Sequence, residues 1–168
     1  MDQEEKKQAK KIVLIGDGGV GKTAYVKRLR TGEFEKRYIP TMGVEVHPFT
    51  YKTNRYNRTF NFWDCAGQEK YGGLQEGYWL GANGFIVMFD VTNRISWKNV
   101  PEYINKIRID HPTTPIIICG NKIDLTSNGN NVPLRVIRRF CNMKNCEYYD
   151  ISAKSCYNYE KPLEYFSR

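Results

Sequence analysis

Glycines at positions 16, 18, 19 and 21, followed by Lys22 and Thr23, spell G-x-x-x-x-G-K-S/T directly after the apolar run Ile12-Val13-Leu14-Ile15. The chemistry open to such a loop is phosphate binding. Glycine backbones curl tightly enough for successive N–H groups to converge on phosphate oxygens, and a helix starting near Lys22 adds its positive N-terminal end. Gly16, Asp17, Gly18, Gly19, Val20, Gly21, Lys22, Thr23 and Ala24 therefore form the candidate cradle. Lys22 would reach the β- and γ-phosphates, and the Thr23 hydroxyl would ligate Mg²⁺.

Two further elements complete the ligand. In W-D-C-A-G-Q-E over residues 63–69, Asp64 ends a strand-like run, where a carboxylate can hold Mg²⁺ directly or through water. Gly67 can offer an unshielded N–H to a terminal phosphate, and Gln68 can orient a water for in-line attack. In N-K-I-D over residues 121–124, the Asp124 carboxylate can accept two hydrogen bonds from the N1–H and 2-amino edge of guanine. Adenine offers no donors there and would leave the carboxylate unpaired. The aliphatic stem of Lys122 can cover the base plane, and Ser152-Ala153-Lys154 can supply a backbone N–H to the guanine carbonyl. With Asn121 opening the third element, these residues read as a site for GTP or GDP with Mg²⁺. They argue against an ATP-dependent kinase or ATPase.

The elements that position these residues alternate in type. Apolar runs at 11–15, 44–51, 59–63, 84–90, 115–120 and 147–151 alternate with helical patterns, the mark of an α/β protein with a mostly parallel sheet. Phe85-Ile86-Val87-Met88-Phe89 and Ile116-Ile117-Ile118 are continuously apolar, as central strands covered on both faces should be. Strands 44–51 and 59–63 mix polar and apolar residues around a loop with two asparagines, which predicts an antiparallel hairpin at a sheet edge. Helices are expected at 22–30, at 99–109 with Asn99 as cap, at 132–143 with Val136, Ile137 and Phe140 on one face, and at 157–166 with Leu163 and Phe166 inward. Three strand-end loops converging on one ligand is the general rule for open α/β sheets.

Composition bounds the rest. With 168 residues the chain can bury one sizeable core, here expected to be a domain over 10–168 preceded by a polar segment at 1–9. No apolar run approaches the ~20 residues of a bilayer span, and the N-terminus lacks a signal-peptide core. The net charge of +8 favours acidic partners. No basic run or aromatic-interleaved motif supports direct nucleic-acid binding. Five cysteines without a C-x-x-C read as reduced thiols, and His47 and His111 suggest no ligand or catalytic role.

G-D-G-G-V-G-K-T, W-D-C-A-G-Q-E, N-K-I-D and S-A-K, in this order, resemble the Ras superfamily of small GTPases. The stretches G-V-E-V-H-P at 43–48, Q-E-K-Y-G-G-L at 68–74, K-N-V-P at 98–101 and Y-Y-D-I-S-A-K-S at 148–155 resemble the Ran family of that superfamily. The resemblance implies the fold of a P-loop NTPase, a six-stranded mostly parallel sheet with helices on both faces. It also implies a slow GTPase acting as a GDP/GTP switch in nuclear transport, in nucleus and cytoplasm. Its partners would be importin- and exportin-type receptors, an exchange factor and an activating protein. We expect a monomer without a membrane anchor. By the same resemblance Thr41 ligates Mg²⁺ and contacts the γ-phosphate in the GTP state, Phe34 packs on the guanine, and Tyr38 closes over the phosphates. An alternative reading is a GTP-binding module that sequesters transport receptors and hardly hydrolyses.

Departures from the family pattern are Cys65 for threonine, Tyr71 for phenylalanine, and a polar loop at 126–131 that is slightly longer. The family's C-terminal extension and a terminal prenylation cysteine are not in the sequence. On that basis receptor binding with GDP is expected to be stronger than in the family.

Overall fold

The computed structural model describes residues 8–35, 41, 43–65, 75–128 and 131–168. Its elements run β1 (Lys10–Ile15), α1 (Lys22–Thr31), β2 (Val44–Lys52), β3 (Asn57–Cys65), α2 (Gln75–Trp79), β4 (Gly84–Asp90), α3 (Arg94–Lys98), α4 (Val100–Asp110), β5 (Ile116–Asn121), α5 (Leu134–Lys144), β6 (Glu147–Asp150) and α6 (Lys161–Phe166). A 3₁₀ segment at Ile123–Asn128 follows β5.

The six strands form one sheet in the order β2-β3-β1-β4-β5-β6. β2 and β3 are antiparallel, and every other neighbouring pair is parallel. The chain moves from β1 to β3 on one side and to β4 on the other, so the switch point of the sheet lies at β1. The loop after β1 is the phosphate-loop sequence, where an open α/β sheet places its ligand.

The apolar runs are buried because both faces of the sheet are covered. Val13, Ile15, Phe85, Val87, Phe89, Ile116 and Ile118 pack on one face against Val100, Ile104 and Ile107 of α4 and Ile137 and Cys141 of α5. Ile12, Leu14, Ile86, Met88, Ile117 and Cys119 pack on the other against Tyr25 and Val26 of α1 and Leu163 and Phe166 of α6. All five cysteines are free thiols, and burial pushes that of Cys119 well up. No helix among the described residues is long and apolar enough to cross a membrane.

Three local expectations are corrected. Val136 is exposed, whereas Ile137 turns inward as expected, with Phe140 half-buried against the same cluster and Cys141 joining the inward face. The last helix begins at Lys161 rather than 157, because Cys156 and Asn158 adopt left-handed backbone with φ of 65° and 53°. Asn99 occupies the N-cap position of α4 without a side-chain cap bond. The five-residue helices α2 and α3 have too few turns for periodicity to show them. α3 still carries a readable signal, since the Asn93 side chain accepts the N–H groups of Ile95 and Ser96.

Candidate functional site

The phosphate loop is pinned where glycine is needed. A Cβ at Gly16 would run into the carbonyl oxygen of Met88, and one at Gly21 into the side-chain nitrogen of Asn121. Gly21 opens α1 in the left-handed region at φ 105°, so a side chain there meets both strain and collision. Lys22 is 6% exposed, and its Nζ donates to the carbonyls of Gly16 at 2.5 Å and Asp17 at 3.1 Å. The ammonium is thus folded over the concavity of its own loop.

Beside it three oxygen-bearing residues meet. The Thr23 hydroxyl donates to Asp64 Oδ2 at 2.5 Å and lies 2.7 Å from the Thr41 hydroxyl. Asp64 is fully buried, and its Oδ1 has no hydrogen-bond partner among the described residues. Burial pushes this carboxyl above its ordinary range, against the opposing pull of the Thr23 hydrogen bond and the Lys22 charge. Two hydroxyls and a buried carboxylate, meeting through the Thr23 hydroxyl, are the hard donors that suit Mg²⁺. Thr23, Thr41 and Asp64 would hold the ion, which when bound supplies positive charge to phosphate oxygens.

The loops after β5 and β6 close onto the phosphate loop through Asn121. It is 2% exposed, donates from Nδ2 to the Val20 carbonyl at 2.9 Å, and accepts the Ala153 N–H on Oδ1 at 3.2 Å. Lys122, with φ 66°, reaches back so that Nζ donates to the Gly19 carbonyl at 2.7 Å and pairs with Asp90 Oδ2 at 3.0 Å. Its stem is thereby stretched from the end of β5 to the loop after β1. Asp124 is exposed, and the Ser152 hydroxyl orients it with a 2.7 Å bond to Oδ1. Ser152 donates its own N–H to Tyr157, while the Lys154 carbonyl accepts from Arg28.

The sequence matches the Ras family model over residues 11–168. The chain belongs to the Ras family. Members of the Ras family are small GTPase switches that bind GTP and GDP, typically with Mg²⁺, and work with exchange factors and activating proteins.

Against that family background the structure both gathers and adds residues. Lys22, Thr23, Thr41 and Asp64 stand together at one end, and Asn121, Lys122, Asp124, Ser152 and Ala153 at the other. Gly18 is exposed at the loop, Gly19 presents its carbonyl to Lys122, and Ala24 sits in the first turn of α1. Phe34 is half-buried against the cluster on the α1 face. Tyr38, Gly67, Gln68 and Tyr71 lie outside the described residues.

Sequence reasoning missed the bracing of the loop. Asp17 Oδ2 accepts from Asn99 Nδ2 at 2.6 Å, and Oδ1 accepts the Tyr103 hydroxyl at 2.6 Å. Asn99 therefore ties α4 to the phosphate loop, which explains why it does not cap. Asp90, the anchor of Lys122, was missed as well. The only sequence signal for either was a polar residue at the end of a strand or the start of a helix.

Proposed function

We propose that this chain is a Ran-type GDP/GTP switch of nucleocytoplasmic transport, working in nucleus and cytoplasm with importin- and exportin-type receptors. The Ran-like stretches support the finer assignment. G-V-E-V-H-P opens β2, K-N-V-P joins α3 to α4, and Y-Y-D-I-S-A-K runs from β6 into the base-side loop. The observation that carries the nucleotide reading is Asn121, which joins three strand-end loops into one site.

In this reading Lys22 pairs with the β- and γ-phosphates, and Thr23, Thr41 and Asp64 hold Mg²⁺. Asp124 reads the guanine edge, and Lys122 covers the base. Gly67 and Gln68 serve the γ-phosphate and the attacking water. Phe34 and Tyr38 close the nucleotide in.

The test is titration of an importin-type receptor against the protein loaded with GDP and with a non-hydrolysable GTP analogue. The analogue form should bind tighter by a factor within the ~5–150-fold range of ordinary allosteric coupling. Equal affinity for the two forms would overturn the transport reading. Single-turnover hydrolysis with and without an activating protein then distinguishes a switch from a module that only sequesters receptors. Stimulation towards ~10⁵-fold is expected of the switch.

A further inference from the structure

Asp64 faces two ways. Its Oδ2 accepts the Thr23 hydroxyl on the phosphate-loop side, whereas the fully buried Oδ1 meets no hydrogen-bond partner among the described residues. Glu45 stands directly opposite Asp64 in the β2–β3 ladder, and His47, two residues further on, shares that face. One donor atom from each of Glu45, His47 and Asp64 lies within 4.8 Å of the other two. We propose that Glu45, His47 and Asp64 form a second divalent-cation site, sharing Asp64 with the magnesium position, for a borderline first-row ion such as Zn²⁺, Co²⁺ or Mn²⁺.

The donor set argues for that class. An imidazole with two carboxylates suits Zn²⁺ or Mn²⁺ better than Mg²⁺, which prefers oxygen alone. Zinc bonds of about 2.1 Å give a tetrahedral ligand–ligand edge of roughly 3.4 Å. His47 Nε2 and Glu45 Oε2 are already 3.2 Å apart, near that edge. Glu45 has 53% of its side chain exposed and can adjust, while Asp64 is locked in the interior. A cation here would satisfy the orphaned Oδ1 and offset the repulsion of two carboxylates facing each other across the ladder.

Arg30 sets the competition. Its Nη1 lies 2.5 Å from His47 Nδ1. A guanidinium only donates, so the contact requires a bare Nδ1 and leaves the imidazole proton on Nε2, towards Glu45. A metal at Nε2 displaces that proton to solvent, and another protonates Nδ1. The imidazole stays neutral, and Arg30, exposed near the end of α1, must swing away. Removing Arg30 should therefore favour the metal.

The test adds Co²⁺ to the Mg²⁺- and guanine-nucleotide-loaded protein under reducing conditions and follows the visible d–d absorption. One equivalent should bind. Glu45→Gln and His47→Gln should each weaken binding by ~100-fold or more, beyond the usual loss of an outer-shell partner. Arg30→Ala should tighten it by about tenfold. His111→Gln, whose imidazole packs edge-on against Phe85, should leave it unchanged. No binding, binding that survives His47→Gln, or sulfur-to-cobalt charge-transfer bands would each overturn the proposal. Glu45 is exposed, so Glu45→Gln decides even if another variant folds poorly. A role for this ion beside a nucleotide rests on the function proposed above. Chromatographic nucleotide content of the same samples separates the two failures, since absent guanine nucleotide refutes that function and leaves the metal result standing.

Discussion

Asn121→Ala is the perturbation that most directly tests how the three loops are held. The side chain is 2% exposed and makes two hydrogen bonds, to the Val20 carbonyl and from the Ala153 N–H. Both partners belong to residues that are themselves 2% exposed, so truncation leaves two backbone groups orphaned in the interior. An unsatisfied buried polar group costs ~1–3 kcal/mol, which gives roughly 2–6 kcal/mol for the pair. With a urea m-value of about 2 kcal/mol/M, the unfolding midpoint should fall by ~1–3 M. The first assay is urea unfolding of nucleotide-free protein by circular dichroism. The second is dissociation of a fluorescent GDP analogue. Since the same bonds hold the base-side loops against the phosphate loop, loss of only ~1.4 kcal/mol of that support would speed release about tenfold. A midpoint shift below ~0.3 M together with unchanged GDP release would refute the argument that Asn121 braces the site.

Three further outcomes follow from individual groups. Asp124→Asn should weaken GTP binding by ~100-fold or more and shift preference towards a xanthine nucleotide, whose 2-oxo group needs a donor; equal GTP affinity in both proteins would remove Asp124 from base recognition. Gln68→Leu should abolish hydrolysis stimulated by an activating protein while nucleotide binding persists, as measured by single-turnover phosphate release. Burial pushes the Cys141 thiol up from 9.0 to about 12, and that of Cys119 in the same direction. Between those values the unfolded chain has released a proton that the fold retains, so stability should fall as pH rises from 9.0 towards about 12. Thermal melts across that window should show the decline, and Cys141→Ala should flatten part of it.

The sheet was readable because its central strands have little ambiguity. A run such as Phe85–Phe89 has no polar face to offer solvent, so it must be covered on both sides, and α4 and α6 do this from opposite faces. The mixed pattern of residues 44–51 and 59–63 likewise foretold the one antiparallel pair. The site's main parts were readable because each is a short motif at a strand end. Other features depended on facts that local pattern does not hold. Left-handed backbone at Cys156 and Asn158 delays α6, although neither is glycine. Val136 and Ile137 are adjacent apolar residues, and only packing decides that Ile137 turns inward. His47 looked solitary because Arg30 reaches it from α1 and Asp64 approaches it from the facing strand, and only Glu45 is near it in sequence.

Asp17 shows most clearly what sequence motifs leave open. It occupies a variable position of the phosphate loop, where a carboxylate would oppose the anion the loop is built to hold. The structure resolves the conflict by engaging both carboxylate oxygens elsewhere. Asn99 at the N-cap of α4 and Tyr103 in its first turns each donate to one of them at 2.6 Å. The acidic residue thereby becomes a tether, and its charge is met by donors away from the Lys22 ammonium. Lys122 repeats the logic with opposite sign, its ammonium held by Asp90 and the Gly19 carbonyl. In both cases a charged loop residue is fixed by a partner from another element, so the phosphate loop is held from α4 on one side and from the base-side loop on the other. That arrangement couples the two ends of the site: displacing Lys122 at the base end must also disturb the Gly19 carbonyl at the phosphate end.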